Sequence, residues 1–471
     1  MATMKHKMGR MAFSKAFDVA YNKVGKDRQK GMMDIFNLAE KYINNLGMGI
    51  DLSGMKACLE DENSALNKYI CRIIDETDEH VLKTFLLNFL YEAMFCGTKV
   101  MHEAREKYQC NVPWLILMDP TSACNLHCTG CWAAEYGNRL NLSVEDMDKV
   151  IREGKELGIY YYMYTGGEPL VRKDDLIRLC EMHPDCAFIS FTNGTLVDEA
   201  FVAELKRVGN LYLAISLEGF EEANDDRRGS GVFQKVMHAM DLLKENGCLF
   251  GTSIAYTKNN IDYVTSDDFI DLEIQKGVKF SMYFHLMPVG NDASPELMPT
   301  PDQRIMIKDR LRQIRAMKDG KGLFCFDFQN DGEYVGGCIA GGRNYFHINA
   351  NGDAEPCVFI HYSNTNIKKN SLLEILQSPL FMAYHNNQPF NDNHLRPCPM
   401  LENPDVLPKL VHESGAKSTD LQSPESVEHL CAKCHEYAEC WKPYAEELWD
   451  KETGKSLPGE TVEPPKKAVN Q

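Results

Sequence analysis

Three cysteines within eight residues, Cys124, Cys128 and Cys131, stand in the stretch Ser122-Ala-Cys-Asn-Leu-His-Cys-Thr-Gly-Cys-Trp132. Thiolates this close can hold three irons of a [4Fe–4S] cube and leave the fourth iron open to bind and reduce a substrate. A fourth cysteine would instead make an electron carrier. Zinc also takes cysteines at short spacing, and His127 inside the loop could be a fourth donor, so the loop alone admits a zinc site too. The apolar run Trp114–Met118 just before it reads as a buried strand, which puts the loop at a strand end.

A second set lies far downstream. Cys338 is followed by thirteen residues, Gly352, four residues and Cys357; later come Cys431, Cys434 and Cys440, with Cys398 between the two groups. Two arrangements suggest themselves. One complete cluster could use Cys398, Cys431, Cys434 and Cys440, leaving Cys338 and Cys357 as structural thiols. Alternatively two clusters form, with open positions or with His, Asp or substrate as ligands. Zinc is an alternative here as well, given His435 beside Cys434. Cys58, Cys71, Cys96, Cys110, Cys180, Cys186, Cys248 and Cys325 lack partners at useful spacing and read as buried thiols.

The elements that must position these groups follow a regular alternation. Strand-like runs at Leu115–Met118, Tyr160–Tyr164, Ala187–Phe191, Leu211–Ser216, Phe250–Ala255 and Phe280–His285 alternate with amphipathic segments at Val144–Leu157, Asp174–His183, Asp198–Val208, Phe233–Asn246 and Asp267–Lys276. This implies an α/β fold with a parallel sheet and right-handed crossovers, its chemistry at the carboxyl ends of the strands. Polar residues gather at those ends. Gly166, Gly167 and Glu168 follow the second strand; Asn193 follows the third; Ser216 and Glu218 close the fourth; Ser253 lies on the fifth. Arg228 is assigned to grip a carboxylate, because a guanidinium does so bidentately. Taken singly, each reads equally well as a turn, a cap or a buried polar group.

Composition narrows the classes. A chain of 471 residues implies two or three domains, and 17 cysteines without a leader point to metal ligands and thiols, not disulfides. The net charge of −17 argues against nucleic acid as a partner. No membrane-length apolar run and no signal peptide are evident, so the expected location is cytoplasmic. Residues 1–31 nevertheless carry eight basic side chains against two acidic ones. A basic helix with Phe and Met on its other face could touch an anionic membrane or an acidic partner; the simpler reading packs that stripe on the barrel.

Taken in order, the cysteine loop, Gly166–Glu168 and Ser216-Leu-Glu-Gly219 resemble the radical S-adenosylmethionine (radical SAM) superfamily, with its C-x3-C-x2-C loop, GGE element and S-L-D-G stretch. Glu218 replaces the usual Asp, and Gly130 stands where the family has an aromatic residue, with Trp132 close by. Cys338 to Cys440 resembles the family's SPASM extension up to its fifth cysteine; Tyr444 stands where the next would be, and Cys398 falls outside that pattern.

The resemblance implies a partial (β/α)6 TIM barrel at 109–318, after a helical N-terminal region at 1–108 and before a SPASM-like iron–sulfur domain at 319–450 and a disordered tail at 451–471. It implies an open-site [4Fe–4S] cluster on Cys124, Cys128 and Cys131, S-adenosyl-L-methionine, and one or two auxiliary [4Fe–4S] clusters. Glu168 and the backbone beside it would receive the methionine amino group, Ser216 and Glu218 would face ribose or substrate, and the segment around Pro288 would contact adenine. The implied reaction cleaves S-adenosylmethionine to a 5′-deoxyadenosyl radical that abstracts hydrogen, with electrons from a flavodoxin or ferredoxin. The substrate stays open among peptide, lipid and small molecule. A non-catalytic iron–sulfur or zinc redox sensor is the competing class, and a methylating core a third.

Overall fold

The computed structural model describes residues 4–45, 51–133, 139–290 and 293–453. The N-terminal region is helical, as its periodicity implies: α1 (Met4–Val24), α2 (Arg28–Asn45), α3 (Ser53–Glu60), α4 (Ala65–Glu76), α5 (Glu79–Phe85), a π-helix (Leu86–Gly97) and α6 (Thr98–Tyr108). The apolar face of α1 is already used. Phe13 packs with Tyr91 and Phe95 of the π-helix, and Phe17 with Met32 of α2. The phenylalanines invoked for membrane contact are therefore buried in the protein's own helices, while Met4, Met8 and Met11 face outward.

The barrel strands are β1 (Leu115–Met118), β2 (Tyr161–Tyr164), β3 (Ala187–Thr192), β4 (Leu211–Ser216), β5 (Phe250–Tyr256) and β6 (Phe280–His285). The crossovers are α7 (Val144–Glu156), α8 (Lys173–Met182), α9 (Glu199–Val208), α10 (Glu221–Arg228), α11 (Val232–Glu245), α12 (Ile261–Val264) and α13 (Asp267–Gln275). Their starts follow from side-chain caps. Ser143 and Asp146 form a capping box on α7, while Asp198 and Ser266 accept the first free N–H groups of α9 and α13.

The sheet does not stop at six strands. After α14 (Pro301–Ile314), β7 (Phe324–Asp327) adds parallel to β6; β8 (Tyr345–Ile348) adds parallel to β1; β9 (Ala354–Glu355) pairs antiparallel with β8. The full order is β7-β6-β5-β4-β3-β2-β1-β8-β9. The sheet thus crosses the expected boundary at 318, because the region read as a separate cluster domain supplies a strand to each open edge. Unpaired edges leave backbone groups without partners, and these two short strands cover them. Within residues 401–430 a helix forms at Val406–Ser414, and Lys417–Ser418 pairs with Tyr362–Ser363. The last helix, His435–Thr453, runs past the expected start of the tail; residues 454–471 lie outside the described residues.

Candidate active site and auxiliary metal centre

The loop after β1 is gripped from several sides. From β2, the N–H groups of Gly167 and Glu168 donate to the carbonyls of Thr121 (3.0 Å) and Ala123 (2.8 Å). Both glycines are required there. Gly166 has φ +106° with the Asp119 side chain 2.8 Å from where a Cβ would lie, and a Cβ on Gly167 would fall 2.2 Å from the Ala123 oxygen. From α10, the Thr129 N–H donates to the Arg227 carbonyl (3.0 Å) and the Arg227 Nε donates back to the Thr129 carbonyl (3.1 Å). After β6, Gly290 approaches so closely that a Cβ would lie 2.0 Å from the Cys131 oxygen.

The three thiols line one cavity of about 710 Å³ that runs through the barrel interior. Burial raises the Cys124 thiol to about 11, although the Leu126 N–H donates to its sulfur at 3.4 Å. Burial also raises Cys128, opposed by Arg228, whose Nη1 lies 3.9 Å from the sulfur. Gly166, Gly167, Glu168, Asn193, Ser216 and Ser253 line the same cavity, as do Glu218 and Arg228. Asn193 donates from its amide to Asn125 inside the cysteine loop (2.9 Å). Pro288 is buried but is not part of this lining, whereas its neighbours Leu286 and Met287 are.

Two of the assigned residues have partners within the protein. Glu168 accepts from the Thr192 hydroxyl (2.7 Å) and from the N–H groups of Asn193 (2.8 Å) and Leu170 (3.0 Å). Its carboxylate braces the ends of β2 and β3. Arg228 and Glu218 are each other's partners. Arg228 donates to Glu218 through Nε and through Nη2 (2.7 Å), and Arg227 joins at 2.6 Å. Burial disfavours the Glu218 carboxylate, but the two guanidiniums outweigh it and hold its pKa low. Arg228 is therefore no unengaged carboxylate clamp. It sets positive charge beside Cys128. Arg227, which the sequence reading passed over, ties that charge to the loop.

The C-terminal cysteines group differently from the first arrangement expected. Cys338, Cys357 and Cys398 line a second cavity of about 510 Å³, which shares Met287, Phe326 and Phe359 with the first. Cys338 and Cys357, considered structural thiols in that arrangement, thus join Cys398. Burial lifts their thiols to about 11 and about 12, and the Tyr345 hydroxyl lies 2.8 Å from the Cys357 sulfur. The N–H groups of Met400 and Leu401 donate to Cys398 (3.4 Å each). Cys431 and Cys434 are buried outside this lining, and Cys440 is exposed, its neighbour Trp441 taking the inward position.

A single zinc ion would draw thiolates to within roughly 3.8 Å of one another, from bonds of about 2.3 Å in a tetrahedron. Among the described residues neither cysteine set brings three ligand atoms within 4.8 Å of one another. The wider spacing, the room beside the thiols and the N–H groups aimed at sulfur fit the larger iron–sulfur group in both places.

A buried network that no motif announced connects the two. His347 on β8 bonds Asp119 (2.8 Å) at the end of β1 and Glu355 (2.7 Å) on β9. Glu355 also meets His361 (3.3 Å), whose other nitrogen bonds the carbonyl of Trp132 (3.0 Å), the residue after Cys131. Burial opposes charge on His347, but Asp119 and Glu355 outweigh it and hold its pKa near 10. Only the composition of β8 hinted at it, because a histidine between Phe346 and Ile348 on a buried strand must have polar partners.

A parallel barrel with a three-cysteine loop and a glycine cradle at its carboxyl end defines an iron–sulfur barrel protein. The chain carries a radical SAM domain followed by a SPASM domain. The family model described as "Radical SAM superfamily" matches residues 118–269, and "Iron-sulfur cluster-binding domain" (SPASM) matches 338–400. The second match includes Cys398, which the sequence pattern had left out, and ends before Cys431. The chain is 31% identical to Fe-coproporphyrin III synthase of Methanosarcina barkeri over 233 residues, 47% of this chain and 57% of that protein. It is 25% identical to AdoMet-dependent heme synthase of the same organism, over 57% of this chain and 83% of the relative. In fold it is similar to SuiB of Streptococcus suis bound to precursor peptide SuiA: TM-score 0.53, 18% identity, covering 72% of this chain and 80% of that one. The radical SAM domain implies a [4Fe–4S] cluster with S-adenosylmethionine, and the SPASM domain implies auxiliary iron–sulfur clusters.

Proposed function

We propose that this protein is a radical SAM enzyme that abstracts hydrogen from an unactivated C–H bond of a bulky apolar small molecule held inside the barrel. The cavity carries this reading. Closed eight-stranded barrels fill their interior with layers of branched side chains, whereas this sheet stays open. Here β4 and β5 present Ser216, Ser253 and Ala255, and rings such as Trp114, Tyr161, Phe191 and Phe284 wall the remaining space. A peptide would bring N–H and C=O groups that cost free energy when buried without partners. An apolar ring system or chain brings few. The names of both M. barkeri relatives point to tetrapyrroles, which are large ring molecules.

When bound, the cluster and S-adenosylmethionine supply one electron and a 5′-deoxyadenosyl radical at the cysteine end. The protein's residues do the rest by placement. Gly166 and Gly167 let the backbone approach the methionine amino group, Arg227 and Arg228 hold the loop and offset its thiolate charge, and the aromatic wall excludes water. A flavodoxin or ferredoxin would deliver the electron.

With dithionite, the anaerobically reconstituted protein should convert S-adenosylmethionine to 5′-deoxyadenosine, and added Fe-coproporphyrin III should raise the yield. Cys128→Ala should abolish both. Ala255→Trp, which fills the cavity, should keep the basal cleavage and lose the rise. A rise with an unrelated peptide that persists in Ala255→Trp would overturn the substrate class. No cleavage by fully loaded protein would favour the redox sensor.

A further inference from the structure

Far from both cysteine sets, three unlike metal-ligating side chains converge where the first helix meets the π-helix. The ligand atoms of His6, Glu92 and Cys96 all lie within 4.8 Å of one another, the one such group among the described residues. His6 Nε2 is 2.6 Å from Glu92 Oε2, and the His6 ring stacks on Tyr91, which fixes its direction. Glu92 is buried, and its other oxygen receives Arg10 Nη1 at 2.7 Å. Arg10 is itself held, with Nη1 also donating to the Leu87 carbonyl (3.2 Å) and Nη2 to Asn88 Oδ1 (2.6 Å).

We propose that His6, Glu92 and Cys96 bind one divalent metal ion of the zinc type, which latches α1 to the π-helix. The donor set is the argument. Imidazole, carboxylate and thiolate are the three ligand types zinc takes, and three protein ligands leave a fourth position for water. Arg10 by itself neutralises the buried carboxylate, so ion pairing does not call for His6 and Cys96 as well. With the ion bound, Arg10 keeps one carboxylate oxygen and orients the other toward the metal, the supporting role that outer partners of metal ligands play. Binding releases the thiol proton to solvent and involves no change of oxidation state.

The placement gives the latch a use. π-Helices are rare and concentrate at functional sites. This one carries Glu92 and Cys96 toward α1 and Phe89 into the lining of the barrel cavity. An ion holding α1 in place would fix the element that floors that cavity. The sequence reading had classed Cys96 as a thiol without a partner, because His6 and Glu92 are distant in the chain.

The test uses the full chain with its clusters reconstituted, supplied with zinc and dialysed. The expected result is one zinc per chain, with zinc-edge X-ray absorption showing a single sulfur among nitrogen and oxygen ligands. Cys96→Ser and His6→Ala should each remove that zinc and leave iron content and circular dichroism unchanged. Since His6 is partly exposed, His6→Ala keeps the test sound if Cys96→Ser proves unstable. Equal zinc in wild type and variants, or a sulfur-only shell that places the zinc in the cysteine sets, would overturn the proposal. Neither outcome depends on S-adenosylmethionine cleavage, so the latch and the enzymatic reading fail separately.

Discussion

The two cysteine centres are built by opposite strategies. At the first, all three ligands fall between residues 124 and 131, and the surrounding elements only have to hold one short loop still. Glycines make that possible: Gly166, Gly167 and Gly290 let two neighbouring backbone segments approach to distances no side chain would permit. At the second, Cys338, Cys357 and Cys398 span sixty positions and meet only because β8 and β9 fold against β1. Local spacing encodes the first centre, and topology assembles the second. Sequence spacing also misleads at the second, because the regular Cys431, Cys434, Cys440 run places its last member on the surface.

The largest test of that contrast sets Cys398 against Cys440. If the cavity defines the auxiliary centre, Cys398→Ala should cost the anaerobically purified protein about one cluster, roughly four irons per chain. Cys440→Ala should leave iron unchanged, since the side chain is exposed. Iron and sulfide analysis reads both. Equal loss from the two variants would restore the arrangement suggested by spacing.

The next effect tests the bridge between the centres. His347 is fully buried between Asp119 and Glu355. Removing the cation of such a buried group while leaving its carboxylates typically costs about 3–5 kcal/mol, and His347→Gln should lose that much in denaturant unfolding. The pH dependence has a definite sign. A histidine whose pKa rises on folding, here from 6.5 to about 10, stabilises the native state fully below pH 6.5 and loses that contribution as pH climbs through 10. Tm should therefore fall over that window in the wild type, and less so in His347→Gln. An unchanged slope would mean that His347 is neutral in the folded protein.

Much of the barrel was legible because its signals are local. Five of the crossover helices begin within a residue of their expected starts, since caps such as Ser143 and Asp198 mark them and amphipathic spacing carries them on. The edge strands β7 and β8 were not legible. Each gains its place by pairing with a strand outside its own stretch of sequence, β7 with β6 and β8 with β1, which a local pattern cannot show. Partnerships were harder still. Glu168, Glu218 and Arg228 were found as residues of the site, but their roles depended on Thr192, Asn193 and Arg227, which only the fold brings near. The Asp119–His347–Glu355–His361 network lay beyond spacing, because Asp119 stands far in sequence from the other three and only the pairing of β8 with β1 brings them together.

The smallest predicted effect returns to the loop and its departure from the family pattern. Gly130 adopts φ +66°, a region that side chains rarely enter, and Leu286 lies 3.2 Å from where its Cβ would sit. The backbone conformation and the packed leucine together explain why no aromatic residue stands here. Trp132 instead reaches the cavity and packs edge-on against His347 and Phe359, between the two centres. Gly130→Ala should thus cost roughly 1 kcal/mol of stability from the left-handed conformation, with full iron content retained. Trp132→Ala should spare the fold equally but weaken S-adenosylmethionine binding, measured by equilibrium dialysis. If Gly130→Ala weakened that binding and Trp132→Ala did not, position 130 would be the cofactor contact despite lacking a side chain, and the loop would depend on its neighbours less than the glycine contacts imply.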